Sequence, residues 1–191
     1  MPFIQTGIQG LLVFEPKVFE DSRGFFFESF NEKTFADQGI PVPFVQDNQS
    51  KSSYGVIRGL HYQLAPYAQS KLVRVLVGKI LDVAVDIRKG SPTFGKVYSI
   101  ELSAENKKQL YIPKGFAHGF SVLSETAEVL YKCDEFYHKE SEGGIVYNDA
   151  TLNIDWQISA DKEIVSEKDI QNPSFADCKN NFVFQNQVSL Q

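Results

Sequence analysis

Cysteine is scarce: Cys133 and Cys178 are the only two in 191 residues, far apart and outside any Cys-x-x-Cys or Cys/His spacing. That excludes a disulfide scaffold and a zinc ribbon, and both thiols are expected to be free. Long apolar runs are missing too. The longest spans four residues, Leu11 to Phe14, against the about 20 that a membrane helix needs. Met1-Pro2-Phe3-Ile4-Gln5 has neither the basic start nor the apolar stretch of a secretion signal. A soluble, cytoplasmic protein without a membrane partner is the expectation. Excess positive charge is absent as well, since 19 Lys and Arg stand against 24 Asp and Glu for a net charge of −5. No electrostatic footprint for nucleic acid remains. What is present is 42% hydrophobic and 13% aromatic residues, enough for one good core in a chain short for two. One domain over residues 1–184 is expected, followed by a loose polar tail, Gln185 to Gln191.

Most of the chain alternates with period two, the pattern of strands with one buried face. Lys71-Leu-Val-Arg-Val-Leu-Val runs into Gly78-Lys79, after which Leu81, Val83, Val85 and Ile87 alternate with Asp82, Ala84, Asp86 and Arg88. This predicts a hairpin with Gly first in a type II′ turn. Beyond the breaker Gly90-Ser91-Pro92, Tyr98, Ile100 and Leu102 alternate with polar neighbours, and a polar turn leads into Leu110-Tyr111-Ile112. Strands are also expected from Gly119 to Leu123 and from Ala127 to Asp134, the latter with Val129, Tyr131 and Cys133 on one face. Helix is confined to two short pieces. Asn31 is a good N-cap for Glu32 to Ala36, stopped before Gly39. Ser166, with Asp169 three residues on, resembles a capping box for a helix that cannot pass Pro173. Short strands every ~8–12 residues point to a sandwich or barrel of jelly-roll type.

Ionisable residues inside β-rich segments are costly unless paired or used, which singles out Arg58, His61, Lys71, His118 and Tyr131. Of the three histidines, His138 lies in the polar stretch Tyr137-His-Lys-Glu and reads as solvated. A lone histidine is more often a hydrogen-bonded core or surface residue than a functional one. Pro113-Lys-Gly-Phe-Ala-His118, however, is similar to the second half of the cupin signature. The first half would require His-x-His, and His61-Tyr62-Gln63 stands there instead. A three-histidine metal centre would have to recruit His138, so no metal site is expected.

Asp21-Ser-Arg-Gly-Phe25, Glu28, Val45-Gln-Asp-Asn48, Gly55-Val-Ile-Arg-Gly-Leu-His-Tyr-Gln63, Ala68-Gln-Ser-Lys-Leu72, Asp82-Val-Ala-Val-Asp86, Ser91-Pro-Thr-Phe-Gly95, Ile112 to Phe120, Tyr131-Lys132, Glu142-Gly-Gly144 and Ser166-Glu-Lys-Asp169 resemble the dTDP-4-dehydrorhamnose 3,5-epimerase family. The resemblance covers about the first 184 residues. It implies a mainly β, cupin-like jelly-roll barrel with a few short peripheral helices, a homodimer that uses no metal or cofactor. Its substrate would be dTDP-4-dehydro-6-deoxy-D-glucose, epimerised at carbons 3 and 5 through enolates to dTDP-4-dehydro-L-rhamnose.

By the same resemblance His61 is the base and Asp169 the carboxylate that fixes its tautomer. Lys71 stabilises the enolate oxygen, and Tyr131 returns a proton to the opposite face. Arg23, Arg58 and Lys168 would contact the diphosphate, while Glu28, Gln46, Asp47 and Asn48 would line the nucleoside pocket. Tyr137 would stack on thymine, and His118 and Glu142 would touch the substrate. Each residue has a plainer reading: Asp169 as a helix-start carboxylate, Lys71 as a solvated strand end, Tyr131 as a core tyrosine and the others as surface groups. Arg58 and His61, three apart, should point to opposite faces of a regular strand, so a bulge is expected at Gly59. Related activities remain open, namely epimerisation of one carbon or 3,4-ketoisomerisation. From other classes stand a metal-dependent cupin oxygenase and a non-catalytic sugar-nucleotide-binding module.

Overall fold

The computed structural model describes residues 2–41 and 43–185, so the tail expected from Gln185 lies, beyond that residue, outside the described residues. In chain order the elements are β1 (Phe3–Gln5), β2 (Leu12–Phe14), β3 (Val18–Asp21), β4 (Gly24–Phe27), α1 (Glu32–Ala36), β5 (Gln46–Ser53) and β6 (Val56–Gln63). There follow β7 (Lys71–Val77), β8 (Lys79–Asp86), β9 (Val97–Ser103), β10 (Gln109–Ile112), β11 (Phe116–Val122) and β12 (Thr126–Cys133). The series closes with β13 (Glu142–Gly144), β14 (Ile164–Val165) and α2 (Glu167–Ile170). One antiparallel sheet has the order β1-β2-β10-β7-β12-β5, and a second the order β13-β6-β11-β8-β9, with β14 parallel to β6. Their inner faces meet in a core that joins Val73, Val75 and Val129 to Ile80, Phe120 and Val122. This is the expected jelly-roll barrel with short peripheral helices.

Two features of the strand pattern turn out differently from the sequence reading. Lys71 to Asp86 is no hairpin: β7 pairs with β10 and β12 in one sheet, whereas β8 pairs with β11 and β9 in the other. Gly78, at φ +73°, is where the chain crosses between sheets, and a Cβ there would lie 2.0 Å from the Thr126 carbonyl oxygen. The turn residue was legible, but the partner on each side of it was a tertiary choice. In addition, β8 is buried on both faces. Ile80 and Ala84 point into the barrel, and Leu81, Val83 and Val85 pack under an outer layer containing Ile145, Leu152 and Trp156. Asp82 and Asp86 are therefore fully buried and not on a solvent face.

Both helices start where their caps predict, with the Asn31 side chain accepting from the Thr34 N–H and that of Ser166 from the Asp169 N–H. The first docks through Phe35, fully buried against Phe3, Phe14 and Phe30 at centroid distances of 5.1, 4.9 and 5.0 Å. Burying such a ring stabilises by about 1.5–3 kcal/mol. By contrast β3 and β4 form a separate two-stranded arm, with Phe19, Phe25 and Phe26 exposed by 53%, 59% and 70%.

The irregularity at Gly59 is present. His118 pairs with His61 and Phe120 with Arg58, so β6 spends one more residue than β11 over that interval. Ile57, Leu60 and Tyr62 consequently share one core layer, which leaves Arg58, His61 and Gln63 on the other side of the strand. Gly59 has φ +122°, and a Cβ on it would lie 2.6 Å from Gly119 Cα and 2.8 Å from the His118 carbonyl oxygen. Gly59→Ala is expected to lose about 2–6 kcal/mol, taking about 1–3 kcal/mol each for backbone strain and overpacking. Thermal unfolding of the variant measures this, and an unchanged Tm would mean that the bulge relaxes freely.

Candidate active site

The bulge leaves the Gly59 N–H out of the strand ladder and aims it at Asp169, whose Oδ2 accepts it at 3.1 Å. The other carboxylate oxygen, Oδ1, lies 2.6 Å from His61 Nε2. Asp169 is itself 4% exposed and held at the start of α2 by the Ser166 hydroxyl. Asp169 thus meets the Ser166 cap through its backbone and His61 through its side chain. Burial by itself would raise the Asp169 carboxyl, but the His61 hydrogen bond and charge, with the Gly59 and Ser166 bonds, hold it below the usual carboxylate range. An ionised carboxylate only accepts, so His61 Nε2 carries the hydrogen and the lone pair falls on Nδ1.

His61, Lys71 and Tyr131 line one cavity of about 200 Å³ together with Gln46, Asn48 and Glu142. Lys71 opens β7, Tyr131 comes from the adjacent β12, and the Lys71 ammonium lies 5.8 Å from the centroid of the Tyr131 ring. Burial lowers Lys71, opposed by Cys133 and Asp82. Burial also raises Tyr131, so its phenol stays protonated across the neutral range. The site therefore offers a base, a neutral acid and a cation in a desolvated space, the components for removing and returning a proton beside a carbonyl.

The remaining residues singled out from the sequence fall into three places. Tyr137 lines the cavity, half exposed, and Glu142 lies beside it and accepts from Lys168 Nζ at 2.8 Å. Glu142, Lys168 and His61 also border a neighbouring cavity of about 510 Å³, which gives the cleft a second, wider lobe. Gln46 donates to Asn48 at 3.0 Å, exposed Asp47 pairs with Lys132 at 3.0 Å, and exposed Arg58 bonds Ser52 through Nε at 3.1 Å. Buried His118 stands opposite His61 on the neighbouring strand but does not line the cavity, because its Nε2 is taken by Asp82 Oδ1 at 2.7 Å. Arg23 and Glu28 are on or beside the exposed arm, where Arg23 bonds Asp21, and neither lines the cavity.

His138 is not merely solvated. It stacks on Tyr67 with centroids 3.9 Å apart and rings 6° from parallel, and its Nδ1 is 3.0 Å from the Ser141 hydroxyl. Asp82 was the residue the sequence reading missed, since in an alternating strand a carboxylate is assigned to solvent. Among the described residues no group of three His, Cys, Asp or Glu side chains is placed to hold a metal ion, and no helix is long and apolar enough to cross a membrane.

A lysine whose folded value lies below its unfolded one destabilises the fold while it is protonated, and this cost fades only as pH rises toward the unfolded value. Lys71→Met is therefore expected to raise Tm at pH 7, by about 2–4 °C for each kcal/mol relieved. A lower Tm in scanning calorimetry would mean that the ammonium is fully compensated where it sits.

Known proteins match nearly the whole chain. The family model described as dTDP-4-dehydrorhamnose 3,5-epimerase matches residues 5–177. A protein of that name from Shigella flexneri is 58% identical over 178 residues, 93% of this chain and 97% of the relative. The crystal structure of such an epimerase from Elizabethkingia anophelis superposes with a TM-score of 0.90 at 57% identity, covering 94% of this chain and 98% of that one. The structure of a Legionella pneumophila dTDP-6-deoxy-D-glucose-3,5-epimerase in complex with dTDP-4-keto-L-rhamnose gives a TM-score of 0.87 at 51% identity, covering 91% and 92%. With its barrel, its His61–Asp169 pair and this similarity, the chain belongs to the dTDP-4-dehydrorhamnose 3,5-epimerase family.

Proposed function

We propose that this enzyme epimerises carbons 3 and 5 of dTDP-4-dehydro-6-deoxy-D-glucose, giving dTDP-4-dehydro-L-rhamnose. The observation that carries the reading is the His61–Asp169 pair sharing one cavity with the Lys71 ammonium and the Tyr131 phenol. A hydrogen alpha to the C4 carbonyl passes to His61 Nδ1, and Asp169 balances the imidazolium that forms. Lys71 faces the negative charge that grows on the carbonyl oxygen; a preorganised cation in a desolvated site is worth several kcal/mol there. Tyr131, kept protonated by burial, delivers a proton to the opposite face, and the carbon inverts. Solvent then restores both groups, and the cycle repeats at the second carbon. Arg58 and Lys168 are the diphosphate ligands in this reading, with Gln46, Asp47, Asn48 and Tyr137 on the nucleoside and Glu142 flanking the sugar, while His118, bonded to Asp82 outside the cavity lining, makes no direct contact.

Arg23 and Glu28 complete the site from a second copy of the chain. Their arm is a two-stranded sheet of its own that carries three exposed phenylalanines, an apolar surface that asks for cover, and they do not line the cavity of their own chain. A homodimer that exchanges arms satisfies both facts. Mixing His61→Ala chains with Arg23→Ala chains, each inactive alone, is then expected to restore roughly a quarter of wild-type activity, because half of the particles are hybrids and each hybrid has one intact site. No recovery after verified subunit exchange, or a single 21.6 kDa particle in sedimentation, would count against the exchanged arm.

The chemistry is tested by following both carbons by nuclear magnetic resonance in heavy water. His61→Ala should abolish deuterium entry at carbons 3 and 5. Tyr131→Phe leaves the base intact, so exchange continues while net inversion falls by about 10²–10⁴-fold, the scale of a lost general acid. Unimpaired epimerisation by Tyr131→Phe removes the tyrosine from the mechanism. Exchange and inversion confined to one carbon in the wild type would make the enzyme a single-site epimerase.

A further inference from the structure

After β12 ends, the backbone from Glu135 to His138 leaves the sheet, and glutamine side chains take over its hydrogen bonding. Gln69 Nε2 donates to the Glu135 carbonyl at 2.7 Å and Gln63 Nε2 to that of Phe136 at 3.0 Å. The Tyr137 N–H donates to Gln46 Oε1 at 3.0 Å and the His138 N–H to Gln63 Oε1 at 2.8 Å. The second amide hydrogen of Gln63 goes to the Tyr67 carbonyl, which ties this loop to the one before β7. Gln63 is 5% exposed, and both its donors and its acceptor are spent on backbone. All three glutamines line the cavity beside Tyr137.

What this arrangement anchors is the backbone on either side of Tyr137, a residue 54% exposed to solvent. Fixing such a residue adds little to the core. It does matter to a planar ligand, because the ordering of the loop is then complete before the ligand arrives and is not charged against binding. We infer that Gln46, Gln63 and Gln69 form a clasp that presets Tyr137 as a stacking platform, and that Gln63 is a positioning residue for the base of the sugar nucleotide. The inference rests on the nucleotide-sugar reading above and adds to it the residues that set base affinity. An amide is the chemistry the position requires. A glutamate would turn its carboxylate toward two carbonyls, and an apolar side chain would leave two carbonyls and an N–H without partners.

The test is a double-mutant cycle on the dissociation constant of dTDP, measured by calorimetry. Tyr137→Ala should weaken dTDP by about 5–150-fold, the equivalent of the ~1–3 kcal/mol of one stacked base. Gln63→Met should reproduce a large part of that loss, roughly tenfold for an undone preorganisation, and should add nothing in the Tyr137→Ala background. KM for the 4-keto sugar nucleotide should rise by the same factor as the dTDP constant, while turnover at saturation falls by less. Inhibition by inorganic pyrophosphate, which has no base to stack, should not move. Gln69→Leu removes only the bond to Glu135 and gives the same pattern in smaller degree if Gln63→Met folds poorly. Additive losses in the cycle, or equal weakening of pyrophosphate, would overturn the clasp while leaving the enzyme a dTDP-sugar epimerase. A wild-type chain that does not bind dTDP overturns the nucleotide reading and the clasp with it.

Discussion

The Asp169 carboxylate is the constraint on which the site depends. One oxygen takes the N–H that the bulge at Gly59 frees, and the other takes His61 Nε2, across more than a hundred residues of sequence. Nearly excluded from water, an unpaired carboxylate at this place would cost about 3–5 kcal/mol. The bulge, the tautomer of the histidine and the seat of α2 are therefore not independent features. Breaking one removes the partner of the other two, and the bulge that looks like a flaw in β6 is what lets Arg58 and His61 share a side of the strand.

Two more buried carboxylates show how differently one residue type can be used on one strand. Asp86 accepts from Arg88, Ser91 and Thr93, at 2.6–3.0 Å, and these bonds outweigh burial to hold it below the carboxylate range. That network staples the turn after β8 and has nothing left over. Among the described residues Asp82 bonds His118 through one oxygen, and its second oxygen is buried without a partner. Its charge pulls Lys71 upward while burial lowers it more. Asp82 thus stands, after Cys133, among the groups that oppose the lowering of Lys71 by burial.

The polar site is placed by the division of the barrel into layers. Between the sheets the packing is aliphatic and aromatic through most of the interior. Where β5, β6, β7 and β12 bring their polar positions together, charged and amide side chains line the cavity instead. The outer layer packs over β6 and β8, with Trp156 bonded to the Tyr147 carbonyl. The Tyr137 loop borders the same cavity.

The sequence by itself determined the strand-rich class, the two capped helices, the glycine positions where the backbone departs from regularity and the shortlist of ionisable residues. These follow from local rules: period-two alternation, the Ncap geometry at Asn31 and Ser166, and the conflict between the spacing of Arg58 and His61 and a regular strand. The roles proposed for His61, Lys71, Tyr131 and Asp169 were legible only through resemblance, because from their neighbours alone each reads equally well as a core or surface group. Only the tertiary structure decided that Lys71 to Val77 and Lys79 to Asp86 part into opposite sheets, since a glycine turn fixes direction but not which strand offers the better ladder. It alone put Asp82 inside, as alternation cannot tell a strand covered on one face from one covered on both. And it alone joined three glutamines to one loop, because hydrogen bonds between residues some 70 to 90 positions apart leave no periodicity in the chain that makes them.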